Sequence, residues 1–220
     1  MNNLNAMLDS DGLYWARGLV SVEQIERLKR LLGDQEKRGE RISKSSALYD
    51  ELLRSNLHQA FVAALPSSRI VRAVGFYKSG IMNWSLPWHQ DRVIATHEKH
   101  ICEGFKNWSL KEGQWHCEAP LSILKHMFFC RIYIDDSDEE SGAMDIAVGS
   151  HKEEIVTGPD ATKIASMYKT ETCVAKAGDV LILPMLTLHK SRRAERVKPR
   201  RVIRLDYADM ELPSPLKWAF

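Results

Sequence analysis

The sequence predicts a mainly β fold, a sandwich or open barrel under helical cover, from three observations. Two stretches with helical apolar spacing come first, within about 21–65. After Pro66 the pattern changes to short apolar runs rich in β-branched and aromatic residues. Few helical patterns separate those runs, which argues against alternating βαβ units.

The elements follow in order. Ser21 can cap the first helix, with Gln24 as its reciprocal partner. Val22, Ile25, Leu28 and Leu32 supply its apolar stripe, and Gly33 its stop. A second helix is expected over 47–65, striped by Leu48, Leu52, Leu53, Leu57, Ala60, Phe61 and Ala64 and ended by Pro66. Residues 70–77 (IVRAVGFY) read as a strand. A long polar region over 97–118, with Gly104, Trp108, Gly113 and Trp115, reads as an ordered loop. A short helix is expected from Pro120 to about Lys125, with proline in its first turn. MFFCRIYI (127–134) is a strand, DDSDEESG an acidic surface turn, 144–148 a short strand and Gly149-Ser150-His151 a tight turn. Residues 173–175 read as an edge, 180–189 as an apolar strand, and 201–207 as the last strand.

A chain of 220 residues supports one full core. With a net charge of +2, nothing points to nucleic acid or a membrane surface as partner. The N-terminus lacks the basic start and apolar stretch of a signal peptide, and no apolar run approaches a membrane span. The four cysteines form no C-x-x-C pair and read as reduced thiols. Together these predict a cytoplasmic protein, a monomer or small homo-oligomer, with a small-molecule substrate.

Four residues carry the chemistry. His89 and Asp91 lie in LPWHQDR, and in an extended segment i and i+2 point the same way, with Gln90 turned away. His189 ends the apolar run DVLILPMLTLH, and Arg200 follows in a basic segment. Two imidazoles and one carboxylate can cover one face of an iron(II) ion and leave the other face open to a cosubstrate and O2. An arginine can hold the far carboxylate of an organic acid. Arg201 competes for that role, since neighbouring strand residues face opposite sides; Arg200 is preferred. The basic residues between Lys190 and Arg204 either face water or draw an acidic substrate. Trp84, Trp88 and Trp108 either wall a pocket or pack a loop.

These motifs resemble the phytanoyl-CoA dioxygenase family of iron(II)- and 2-oxoglutarate-dependent oxygenases. GLYWARGLVSVEQIERLKRLL resembles its opening strand and Ser-capped helix, and FYKSGIMNWSLPWHQDR its first metal motif. RIYIDDSDEESGAMDIAVGSHK, AGDVLILPMLTLHKS and RRVIRLDY are similar to its central strand, distal-histidine strand and following strand. The sub-type with NWSLPWHQDR looks bacterial. The resemblance implies a double-stranded β-helix, or jelly-roll, and one oxygenase domain over 1–220. That domain comprises helical cover at about 21–65, a core at about 70–210 and a candidate lid at 92–119.

The resemblance further implies that His89, Asp91 and His189 bind Fe(II) and that Arg200 pairs with 2-oxoglutarate. Lys78 stands where some relatives use a lysine toward the cosubstrate and Ser191 where many relatives have serine; each either assists the cosubstrate or is structural. The implied reaction is hydroxylation of a small organic metabolite with O2, releasing succinate and CO2. Related halogenases lack the carboxylate, so Asp91 argues for oxygenation or another two-electron oxidation. One departure is Val148, where the family usually has proline; His151 beside it reads as structural.

Three rivals remain: a cupin-like metal-binding protein without oxygenase activity, an inactive small-molecule binder of the same fold, and a zinc hydrolase. The last needs a general base, for which Glu118 and His116 are candidates by type alone.

Overall fold

A computed structural model describes residues 4–33, 38–79, 82–195 and 198–220. Gly80 and Ile81 of the first metal motif, and Arg196 and Val197 of the basic segment, lie outside the described residues.

The helical cover comprises α1 (Leu4–Ser10), α2 (Val22–Leu32), α3 (Ala47–Leu53) and α4 (Asn56–Ala64). The predicted single helix over 47–65 is therefore two. Ser55 breaks it: its hydroxyl accepts from the His58 amide and caps a new helix, although the apolar stripe continues across the break. Ser21 caps α2 through the Gln24 amide, but the Gln24 Oε1 atom is buried without a partner, so the reciprocal bond of a capping box is not made. Val22 is exposed rather than part of the buried stripe of Ile25, Leu28 and Leu32.

A six-stranded antiparallel sheet has the order β1-β11-β8-β13-β3-β2. Its strands are β1 (Tyr14–Ala16), β2 (Gly39–Arg41), β3 (Arg69–Lys78), β8 (Met127–Tyr133), β11 (Val180–Pro184) and β13 (Arg200–Ala208). Side chains alternate across it. Cys130, Ile132, Val180, Ile182, Ile203, Leu205 and Tyr207 face the helices, packing with Ile25, Leu28, Leu52, Leu57 and Phe61. Phe129, Tyr133, Leu181, Leu183 and Val202 face inward with Met144 and Ile146 of the opposite sheet.

That opposite sheet has the order β10-β9-β12-β4. It comprises β4 (Leu86–His89), β9 (Met144–Ala147), β10 (Thr170–Thr172) and β12 (His189–Ser191). The two sheets make the double-stranded β-helix. The expected edge at 173–175 lies just past β10, where Ala175 bridges to Ser137. The apolar strand expected over 180–189 is two strands in different sheets. β11 stops at Pro184, a turn bonds the Thr187 amide to the Pro184 carbonyl at 3.1 Å, and His189 opens β12.

The polar region expected as a loop is a third sheet, β5-β7-β6, from β5 (Val93–Thr96), β6 (Lys106–Lys111) and β7 (Gln114–Glu118). Ile94, Phe105 and Cys117 anchor it in the inner core with Trp218. The short helix α5 (Leu121–Leu124) falls where expected, with Pro120 as its N-cap. Helix α6 (Gly158–Ala165) has no counterpart in the sequence reading; Ala161 and Ala165 pack it against Ala147 and Leu188. Among the described residues no helix is long and apolar enough to cross a membrane. The four cysteines are free thiols.

Candidate metal centre

β4 and β12 are neighbours, and His89 and His189 are directly paired across them. Their ring centroids lie 4.4 Å apart. Asp91 follows just past the end of β4. The intervening Gln90 points away and is buried. Its amide donates to the Glu154 and Leu186 carbonyls at 2.9 Å each, and its oxygen accepts from the Val156 amide at 2.8 Å. These three bonds fix the segment on which both candidate ligands stand.

One donor atom from each of His89, Asp91 and His189 can be chosen so that all lie within 4.8 Å of one another. Asp91 Oδ2 lies 3.2 Å from His189 Nε2. That is close to the roughly 3 Å expected between adjacent ligands at right angles with bonds near 2.1 Å. His89 Nδ1 lies 2.7 Å from the Pro87 carbonyl and His189 Nδ1 lies 2.9 Å from the Thr187 carbonyl. A carbonyl only accepts, so each Nδ1 donates to it, which leaves Nε2 as the ring nitrogen that could face a metal. Burial, and then His189, hold the His89 pKa down, which keeps it in the neutral ligand form.

Burial opposes the charge of Asp91. The Arg204 guanidinium, followed by His189 and His89, outweighs it and holds the carboxyl well below the usual carboxylate range. Arg204 donates to Asp91 Oδ2 and, at 2.5 Å, to Asp206 Oδ1. Arg72 then closes on Asp206 Oδ2 at 2.6 Å. The donor set fits a borderline divalent ion such as iron(II), with three protein ligands on one side and the rest of the shell free.

A cavity of about 70 Å³ opens beside the triad. Phe76, Trp84, Leu86 and Met144 give it apolar walls, and Arg131, Ser191 and Arg204 polar ones. Trp84 is thus a pocket residue. Trp88 packs near α6, and Trp108 meets Trp115 edge to face at 6.4 Å. No residue of 92–119 lines this cavity.

Arg200 and Arg201 separate by strand parity. Arg200 is buried on the inner side, with Nη1 donating to Ser137 Oγ at 3.2 Å and Nε unpartnered. Arg201 faces out and grips Asp135 through Nε and Nη2, both at 2.8 Å. Burial, and then Arg131, push the Arg200 pKa down to about 10, so it stays charged at neutral pH. Lys78 pairs with Arg200 in register and donates to Ser191 Oγ at 3.1 Å. His151 lies elsewhere, with Nε2 3.3 Å from the Asp9 carbonyl. Neither His116 nor Glu118 lines the cavity: His116 is buried with a pKa near 4, and Glu118 faces Arg92 at 3.6 Å. Neither base candidate of the zinc hydrolase reading therefore stands at the triad.

Arg131 and Arg204 are the site residues that sequence reasoning missed. Their signal is strand parity. Arg131 stands in an apolar strand between the inward residues Phe129 and Tyr133, and Arg204 shares a face with Arg200 and Val202.

A double-stranded β-helix in which neighbouring strands of one sheet bring together two imidazoles and a carboxylate is the architecture of an Fe(II)/2-oxoglutarate-dependent enzyme. The chain belongs to the phytanoyl-CoA dioxygenase family, whose sequence model matches residues 8–202. The cofactor set is Fe(II), with 2-oxoglutarate and O2 as cosubstrates. No curated protein matches the chain by sequence.

Several solved structures share its fold. AviO1 from Streptomyces viridochromogenes Tue57 is 18% identical with a TM-score of 0.64, covering 94% of each chain. HygX from Streptomyces hygroscopicus, solved with nickel and 2-oxoglutarate, is 16% identical with a TM-score of 0.64, covering 94% of this chain and 87% of its own. SnoN, a non-heme alpha ketoglutarate dependent epimerase from nogalamycin biosynthesis, is 16% identical with a TM-score of 0.68, covering 94% and 80%.

Proposed function

We propose that the protein is a hydroxylase: it inserts one oxygen atom of O2 into a C–H bond of a small organic molecule and converts 2-oxoglutarate to succinate and CO2. The observation that carries this reading is the convergence of His89, Asp91 and His189 beside a cavity lined by Arg131, whose buried Nε has no partner among the described residues. Iron(II) held by the triad would supply the redox chemistry with O2.

The chain's own residues bind, orient and exclude water. Pro87 and Thr187 aim the imidazoles through their carbonyls, Arg204 steadies Asp91, and Gln90 fixes the segment between the first two ligands. Arg200 takes the distal carboxylate of the cosubstrate, with Lys78 and Ser191 beside it. Phe76, Trp84, Leu86 and Met144 keep the reacting centre apolar.

In this reading the whole chain works as one domain, and its ligand is a small molecule. As a lid, 92–119 would have to act as a sheet rather than a loop. Protection of that segment from proteolysis only when iron and 2-oxoglutarate are present is the test.

A second outcome is favoured by SnoN, a similar fold that performs epimerisation. Product mass decides between them once a substrate is in hand. Gain of one oxygen atom supports hydroxylation, unchanged mass epimerisation, and loss of two hydrogens cyclisation or desaturation. If the protein binds iron but does not turn over 2-oxoglutarate with any substrate, the cupin-like or inactive binding protein takes its place.

A further inference from the structure

Three cations are buried together next to the metal ligands. Lys78 is only 1% exposed, Arg200 4% and Arg131 9%. Among the described residues none of the three forms an ion pair with a carboxylate. Among the described residues Lys78 donates to neutral oxygens, Gly142 O at 3.3 Å, Ser191 Oγ at 3.1 Å and the Arg192 carbonyl, and lies 4.6 Å from the Trp84 ring. The Nε atoms of both Arg131 and Arg200 lack any partner. Arg131 opposes the charge on Arg200, and Asp138 favours it. Buried like charges without a counter-ion are costly, so such a cluster is built for an anion.

The register shows how an anion would lie. On β13 the inward residues run Arg200, Val202, Arg204, and Arg204 reaches Asp91. Val202 is flanked by Phe76 on β3 and Tyr133 on β8, while Arg131 sits opposite Arg204. A ligand stretching from the metal ligands to Arg200 crosses Val202, with Arg131 along its flank. Of the three cations, Arg131 is the one that lines the cavity beside His89, Asp91 and His189. Among the described residues its guanidinium otherwise meets the Phe76 ring at 6.0 Å and Tyr133.

We propose that Arg131 is a second arginine for the cosubstrate, sharing its far carboxylate with Arg200 and making the site select a dicarboxylate over a monocarboxylate. This rests on the 2-oxoglutarate reading above.

Calorimetric titration of the Ni(II)-loaded protein with 2-oxoglutarate and with the monoanion 2-oxobutyrate tests it, without turnover. Arg131→Met is expected to weaken 2-oxoglutarate binding about 10- to 100-fold, the effect of losing a charge-assisted hydrogen-bond pair. Binding of 2-oxobutyrate is expected to change little. The metal-free variant is expected to melt no lower than wild type, because a like charge has been removed. A structural arginine would instead lower the melting temperature and both affinities together.

Should Arg131→Met not fold, Arg131→Lys keeps the charge but loses the planar fork. It is then expected to lose about tenfold for 2-oxoglutarate alone. If wild type binds 2-oxoglutarate and the variant binds it equally well, Arg131 has no such role. If wild type does not bind 2-oxoglutarate, the functional reading itself fails.

Discussion

Arg204 donates a hydrogen bond to the carboxylate of Asp91, the acidic member of the candidate ligand set. The same guanidinium binds Asp206, which Arg72 holds from its other side. The candidate metal site therefore rests on a buried chain of alternating charges running into β3. Asp206 and Asp91 together raise the Arg204 pKa against the opposing effect of burial, so this arginine is a permanent cation.

Arg204→Met should therefore loosen Asp91 and leave Asp206 short of a partner. Iron(II) affinity is expected to fall about 10- to 100-fold, as for loss of a partner behind a metal ligand. Stability should fall by about 3 kcal/mol, the scale for breaking a buried ion pair. Metal titration and denaturant melts measure the two effects. Unchanged affinity would mean that Asp91 is oriented without Arg204.

The paired arginines give a sharper contrast. If Arg200 is the proposed partner of the far carboxylate, Arg200→Met should raise the dissociation constant for 2-oxoglutarate about 10- to 100-fold. Arg201→Met removes a partly exposed pair with Asp135 and should cost no more than about 1 kcal/mol of stability. Cosubstrate binding should survive it. Equal losses in both variants would contradict the assignment.

Lys78 gives the apoprotein a pH dependence. Burial, followed by Arg200 and Arg131, pushes its pKa down from 10.5 to about 7. Between those values the unfolded chain binds the extra proton, so the Lys78 contribution makes stability rise with pH across this window. The penalty is full below pH 7 and gone above 10.5. Melting curves of wild type should climb relative to Lys78→Met from pH 7 upward. Affinity for 2-oxoglutarate should fall over the same range as the ammonium is lost. Parallel curves for the two proteins would place no titration there.

Gly142 turns the chain under Lys78 at φ 71°, and a Cβ there would stand 2.7 Å from the Arg192 carbonyl and 2.9 Å from Lys78 Nζ. Gly142→Ala should destabilise the protein by about 1–3 kcal/mol, from backbone strain alone. Displacement of Lys78 should weaken cosubstrate binding as well. A denaturant melt coincident with wild type would show that the turn yields freely.

Much of this was legible in the sequence because strand chemistry is local. The i, i+2 spacing of His89 and Asp91 and the opposite facing of Arg200 and Arg201 are period-two facts, and the structure keeps both. What escaped depends on partners far along the chain. Arg131 and Arg204 look like solvated charges until the strand order turns their faces inward. The break at Ser55 hides under an uninterrupted apolar stripe, because capping competes with periodicity and here it prevails. The 97–118 region reads as a loop because its strands are half polar, yet β6 and β7 pair around Gly113 as a hairpin. Helix α6 opens on Gly-Pro and buries only alanines, which leaves little apolar pattern to detect.

The most direct test of the account is anaerobic titration of iron(II) and 2-oxoglutarate into the purified protein, following the visible metal-to-ligand charge-transfer band. The account predicts that the band appears with wild type and is lost in His189→Ala. Iron binding without the band in wild type, or a band that survives His189→Ala, would contradict it.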